Sequence, residues 1–157
     1  MGIKTKMNNS AKKSSARLAA VQALYQYESS KESAEDILQQ FLEKRVDDLL
    51  DDDYSPTKPN KNMFKELFLN TIESLSEIDE IIKENLKEDR AVNDLEPVLK
   101  AIFRTGIYEL KYYFKTPAKV VISEYVEITK AFFENEESGF VNFVFDNLAK
   151  KLRISEV

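Results

Sequence analysis

Pro97-Val98-Leu99-Lys100-Ala101-Ile102-Phe103-Arg104-Thr105-Gly106-Ile107-Tyr108-Glu109-Leu110 is the stretch on which the fold turns. Its apolar residues Val98, Leu99, Ile102, Phe103, Ile107 and Leu110 recur with the 3.6-residue period of a helix, not the two-residue period of a strand. Pro97 fits the first turn, where a missing N–H costs least, and Asp94 is placed to cap it. Gly106 stands mid-helix at a cost of about 1 kcal/mol relative to Ala. A close helix crossing there is a reason to accept that cost.

The same period extends outward in both directions. On the C-terminal side Thr116-Pro117 caps and opens a helix with Val121, Tyr125, Ile128 and Phe132 on one face. Ser138 caps the last helix, which carries Phe140, Val141, Val144, Phe145, Leu148 and Leu152. On the N-terminal side Met63, Phe64, Leu67, Phe68, Ile72 and Leu75 run on into Ile78, Ile81, Ile82 and Leu86, one long helix with a kink near Ser74-Leu75-Ser76. Ser33, with Asp36 three residues on, caps a helix striped by Ile37, Leu38, Phe41, Leu42, Val46 and Leu49. The first helix starts near Ser14 and runs to Tyr27. Leu18, Val21, Leu24 and Tyr25 form its stripe, and Ala16, Ala19, Ala20 and Ala23 a smooth flank. The clear loop is Asp51–Asn60, where two prolines and three adjacent aspartates resist a helix. Residues 1–11 and this loop are expected to be mobile, because no apolar stripe pins either. Only Lys119-Val120-Val121-Ile122 could pass for a strand, and Pro117 argues against it. The fold class is all-α: a compact bundle of about seven amphipathic helices.

The composition agrees. A chain of 157 residues with 43% hydrophobic and 32% charged residues, 3 Gly and 4 Pro is globular, about one domain long, and can bury a core without staples. With no Cys and no His, disulfides, thiolate or imidazole metal sites and His-based triads are excluded. Gly2, Gly106 and Gly139 are isolated, so no Gly-rich phosphate loop exists, and no Ser sits in a nucleophile elbow. Asp51-Asp52-Asp53 lacks the further ligands of a cation site, and Pro56 stands where a calcium loop needs Gly. Glu136-Glu137 reads as a helix-boundary charge run. No enzymatic activity, cofactor or metal is expected. No stretch approaches 18 consecutive apolar residues, and the start of the chain has no apolar run of the secretory type, so a cytoplasmic location is expected. Charge is uneven: residues 1–27 carry +5, residues 28–96 carry −11 and residues 97–157 carry +1, for a net −5. A basic start on an acidic chain confines any nucleic-acid contact to a local patch.

Two segments are more specific than amphipathicity requires. The first is Ala16-Arg17-Leu18-Ala19-Ala20-Val21-Gln22-Ala23-Leu24-Tyr25. The second runs from Ile102-Phe103-Arg104-Thr105-Gly106-Ile107-Tyr108-Glu109-Leu110 through Pro117-Ala118-Lys119-Val120-Val121-Ile122-Ser123-Glu124-Tyr125-Val126-Glu127-Ile128-Thr129-Lys130 to Phe140-Val141-Asn142. In this order and spacing the blocks resemble the NusB family of bacterial transcription antitermination factors, from about residue 14 to residue 153. The resemblance implies a single NusB-like domain over 12–153, made of two small helical subdomains of about 12–90 and 91–153. A flexible basic N-terminal arm, 1–11, would precede it, and a tail, 154–157, would follow. It implies a non-enzymatic protein that binds boxA RNA of ribosomal RNA operon leaders together with NusE, a small-subunit ribosomal protein. The pair would join an RNA polymerase antitermination complex with other Nus factors. Two alternatives stay open: a purely protein-binding helical adaptor, and a module related to the RNA-binding domain of rRNA cytosine methyltransferases. Some relatives dimerise over the RNA surface, so a homodimer is open too.

The resemblance assigns the RNA surface to the start of the first helix. Lys13, Ser14, Ser15 and Arg17 stand there with Lys12 just before, and two of the family's arginines are replaced by serine. Lysine neutralises phosphate but lacks the bidentate fork of arginine. Lys13 and Arg17, four residues apart, are expected on one exposed polar face, opposite Leu18, Val21 and Leu24. Tyr25 could stack on a base and Tyr108 could too, although a core role suits Tyr108 better. Arg104 is a further RNA candidate that could equally snorkel or pair with an acid. Glu136 and Phe140 match positions near the NusE contact. Phe143 stands where the family usually has Gly, and fits only beside smaller neighbours or on an exposed face.

Overall fold

The computed structural model describes the backbone of residues 2–50 and 60–156 and the side chains of 9–43 and 60–156. Every regular element among the described residues is helical. In chain order these are α1 (Gly2–Ser29), α2 (Ala34–Leu50), α3 (Lys61–Glu73), α4 (Leu75–Glu84), α5 (Pro97–Tyr112), α6 (Ala118–Phe132) and α7 (Glu137–Leu152). Short 3-10 turns at Val92–Asp94 and Ile154–Glu156 complete them. The loop reading for 51–59 and the side chains of Val46 and Leu49 lie outside the described residues.

Helix ends follow local chemistry. Ser33 Oγ accepts from Asp36 N–H at 3.1 Å, the cap expected of it. Asn60 Oδ1 does the same for Met63 N–H at 3.0 Å. The expected kink is a full break at Ser74, whose N–H is shared between the carbonyls of Asn70 at 3.1 Å and Thr71 at 3.2 Å. Three expected caps are corrected. Glu96, not Asp94, caps α5, its carboxylate accepting from Val98 and Leu99 N–H at 2.9 and 3.1 Å. Pro97 at the first helical position fixes the cap one residue before it, and Asp94 instead accepts from Ala91 N–H at 2.8 Å. Thr116 does not cap α6: the Ala118 N–H donates to Glu156 Oε1 at 2.8 Å. Ser138 lies within the first turn of α7, whose N-cap is Glu136. The helix expected to start near Ser14 begins at Gly2, so residues 2–11 of the segment expected to be a flexible arm are helical backbone. No Pro or internal Gly interrupts residues 3–14, and extending an existing helix costs far less than nucleating one.

Two compact units follow one another along the chain, Met1–Leu69 and Asn70–Val157. The division falls within α3, where the sequence suggests a boundary near residue 90. Asn70 Nδ2 donates to the Tyr108 hydroxyl at 3.0 Å, which ties the end of α3 to α5. In the first unit α1 packs on α2, and the rings of Phe41, Phe64 and Phe68 stack in sequence at 5.7 and 6.0 Å between centroids. Gln26 Nε2 joins the two helices by donating to Glu32 at 2.8 Å and Gln40 at 2.9 Å.

The second unit is built around α5, which packs against α4, α6 and α7. Every residue from Leu99 to Leu110 is buried, as expected of a helix surrounded by others. Its polar members therefore need partners. Lys100 donates to Asn93 Oδ1 at 3.2 Å, Thr105 Oγ1 to the Ala101 carbonyl at 2.9 Å, and Glu109 accepts from the Tyr125 hydroxyl at 2.8 Å. Gly106 is where α5 meets α7. A Cβ there would overlap Cε2 and Cζ of Phe145 and lie 3.2 Å from Tyr125 Cγ, so the crossing accounts for the glycine.

Arg153, just past α7, closes the unit. Its five N–H groups donate to the carbonyls of Leu110 (2.7 Å), Thr116 (2.9 Å), Glu109 (3.2 Å) and Tyr113 (3.0 Å) and to Glu156 Oε2 (2.6 Å). A guanidinium has five donors, and all are used. They supply carbonyls at the end of α5 and in the turn that follows it.

Candidate nucleic-acid interface

Lys12 and Lys13 lie half-buried on α1. The Lys12 carbonyl also accepts from Asn60 N–H at 3.0 Å, which ties this part of α1 to the start of α3. Among the described residues no carboxylate pairs with either ammonium group. Arg17 departs from expectation: it is 2% exposed, not displayed on a polar face. The reason is angular. Arg17, Val21 and Leu24 stand at i, i+4 and i+7, so they share one face of the helix, and Val21 and Leu24 are buried with it. The aliphatic part of an arginine can join such a face. Tyr25 is 41% exposed, about 18 Å along the helix axis from Lys13. Tyr108 is buried with its hydroxyl on Asn70, as its position in the stripe suggests.

Arg104 is buried on α5 and donates through Nε and Nη2 to both oxygens of Asp79 on α4, at 2.9 and 2.8 Å. Of the two expected outcomes, RNA contact or an acidic partner, the geometry is that of the second: a bidentate pair with its fork occupied.

Glu136 and Phe140 do come together, in a groove of about 690 Å³ within the second unit. Phe140 is half-buried, its ring edge-on to Phe103 at 5.2 Å. Phe133 and Phe143 also line the groove, and Phe143 is 65% exposed, so of its two options the exposed face holds. Lys87, Arg90, Glu136 and Glu137 line it as well. Glu137 Oε1 is buried there with no hydrogen-bond partner. The sequence reading passes over Phe133, Lys87 and Arg90. Lys87 and Arg90 sit in an irregular segment with no period to aim them.

Glu77 on α4 accepts from the Tyr112 hydroxyl, at 2.6 and 2.7 Å to its two oxygens, and pairs with Lys111. The Lys111 bond, then the Tyr112 bond, holds its carboxyl below the ordinary value, and Glu77 in turn pushes the Lys111 ammonium up. No group of three or more carboxylates among the described residues could hold a metal ion, and no described helix is long and apolar enough to cross a membrane.

Known proteins are similar to this chain in sequence and fold. The pattern of the NusB family matches residues 14–150. A relative from Sinorhizobium fredii, a transcription antitermination protein NusB, is 38% identical over 138 residues, 88% of this chain and 86% of the relative. One from Rickettsia akari with the same description is 39% identical over 153 residues, 92% of this chain and 95% of the relative. Among solved structures, T. maritima NusB superposes with a TM-score of 0.70 at 30% identity, covering 88% of this chain and 91% of that one. A structure of the antitermination factors NusB and NusE with double-stranded RNA has the same fold, with a TM-score of 0.70 at 22% identity. Since the match runs from Ser14 on α1 through the Gly106 crossing to Lys150 in the last turn of α7, the chain belongs to the NusB family.

Proposed function

We propose that this chain is a non-enzymatic, RNA-binding transcription antitermination factor that engages boxA-type RNA of ribosomal RNA operon leaders together with NusE. Within that reading it joins an RNA polymerase complex with other Nus factors in the cytoplasm. The observation that carries it is the pair Lys12 and Lys13, two ammonium groups without carboxylate partners among the described residues, on α1 just before residue 14, where the family match begins. Tyr25 supplies an exposed ring on the same helix for a base to stack on. The groove holding Glu136 and Phe140 suits the partner protein, because its lining joins three phenylalanines to charged residues and aromatic residues are enriched at protein interfaces.

The burial of Arg17 and the pairing of Arg104 make both positioning residues in this reading. Arg17 sets the face of α1 that presents Lys13, and Arg104 braces α5 against α4. The lysines alone neutralise few phosphates, so the isolated chain binds RNA weakly and NusE tightens it. The test is fluorescence anisotropy with a short U-rich boxA-like RNA, with and without NusE. For about three neutralised phosphates log K falls with log salt at a slope near −2. Equal affinity with and without NusE would remove the adaptor role. No binding in either case would leave the purely protein-binding reading.

A further inference from the structure

The corner between α5 and α6 displays apolar and basic groups that the reading above does not use. Phe114 is 63% exposed, and Ile154, the residue after Arg153, is 73% exposed. The Phe114 ring has one face against the Arg153 guanidinium, 4.6 Å from Cζ to the centroid. That guanidinium is itself fixed by five hydrogen bonds, so the ring rests on a rigid base. Lys115 follows Phe114 directly, and Lys119 lies in the first turn of α6; both are exposed. Among the described residues neither pairs with a carboxylate. The other charges nearby are paired: Lys111 with Glu77, Glu156 with Arg153, and Glu127 and Asp146, which line a groove with Lys119, with Lys130 and Lys150. From Lys111 to Lys119 there are three lysines and no acid, in a chain of net charge −5.

We propose that Phe114, Lys115 and Lys119 form a second contact for single-stranded RNA, a one-base stacking platform flanked by two phosphate-neutralising ammonium groups. The chemistry selects this occupant. An acidic peptide would use the lysines but leave the free ring face idle. A purely apolar partner would have to desolvate two ammonium groups without compensation. Single-stranded nucleic acid uses both, since every base has a π-face and every link a phosphate. The cation beneath the ring adds to stacking on the opposite face. A pre-ordered ring also loses little conformational freedom on binding. The contact rests on the RNA-binding reading and extends it to nucleotides outside the boxA-like core.

The experiment compares two RNAs on the full chain with NusE: a short U-rich boxA-like strand, and the same strand extended by about six nucleotides on each side. The wild-type chain should bind the extended strand more tightly. Phe114→Leu keeps apolar bulk over Arg153 and removes the π-face. It should weaken the extended strand about tenfold and leave the short strand unchanged. Lys115→Gln with Lys119→Gln should make the salt slope for the extended strand shallower by about 1.4. Phe114→Trp should restore or exceed wild-type affinity. Equal affinity of Phe114→Leu for the extended strand overturns the proposal. So does an equal loss on both strands with a lowered melting temperature, since that marks damage to the fold. If the lysine variants lose an acidic peptide or a second copy of this chain but keep the RNA, the corner is a protein surface and the proposal fails. Failure of the wild-type chain to bind the short strand would instead strike the functional reading itself.

Discussion

Arg153→Met removes a buried guanidinium and keeps most of its aliphatic volume. Four carbonyls and one carboxylate lose a donor. The Glu109 and Tyr113 carbonyls keep backbone donors, from Tyr113 N–H at 3.0 Å and Thr116 N–H at 3.4 Å, so the loss is smaller than the sum of five bonds. Leaving a buried acceptor short of its donor costs about 1–3 kcal/mol, and breaking a buried ionic cluster by removing one member costs about 3–5 kcal/mol. A loss of about 4 kcal/mol is therefore expected, a large part of the 5–15 kcal/mol that holds a typical domain. For a chain of this size it lowers the melting temperature by about 10 °C. Arg153→Lys, with three donors on one nitrogen, should recover less than half. Urea and thermal unfolding measure the loss. Hydrogen exchange should show faster opening of the Tyr113 and Thr116 amides in the variant. A loss under about 1 kcal/mol, with those amides still protected, would falsify the claim that this guanidinium holds the α5–α6 corner.

Gly106→Ala gains helix propensity of about 1 kcal/mol but drives a methyl into the Phe145 ring, which Phe103 and Tyr125 hold edge-on at 5.7 and 6.0 Å; a net loss of about 2 kcal/mol is expected by urea titration. Lys12→Ala with Lys13→Ala should weaken RNA binding and flatten the salt slope by about 1.4 while shifting stability by less than about 0.5 kcal/mol. Arg17→Ala should behave oppositely, unfolding at lower urea, because the side chain it deletes is buried. The Glu156 carboxyl is held below its ordinary value, first by the Ala118 N–H and then by Arg153. A depressed folded value means that its contribution is intact above about pH 4.5 and disappears as pH falls through that lower value. Glu156→Gln should remove this part of the acid sensitivity, read as a smaller drop in unfolding midpoint between neutral and acid pH.

Helices were readable because the apolar period recurs in every segment, and Gly106 announced a crossing because nothing else repays a mid-helix glycine. The caps were harder: Asp94 and Glu96 are both carboxylates near one Pro, and only the position of Pro97 decides between them. Arg17 was misread for want of helical angles. Counting to Val21 and Leu24 puts it on their face, and the alanines at 16, 19, 20 and 23, all buried, were a second sign. Arg153 gave no local signal, since a basic residue at a helix end ordinarily answers the dipole from solvent. Its partners lie 37 to 44 residues earlier in the chain, except for Glu156. The groove at Phe140 was visible as two residues, but Lys87, Arg90 and Phe133 reach it from irregular segments.

That sequence separation has a consequence for the growing polypeptide. Thr116 is made 37 residues before Arg153. At a synthesis rate of about 5–20 residues per second, the end of α5 waits about two to seven seconds for its donor. Through that interval water must serve the carbonyls that the guanidinium later takes. The first unit ends at Leu69, so its helices are synthesised well before Arg153. Synthesis of Arg153 therefore decides when the α5–α6 corner of the second unit can close.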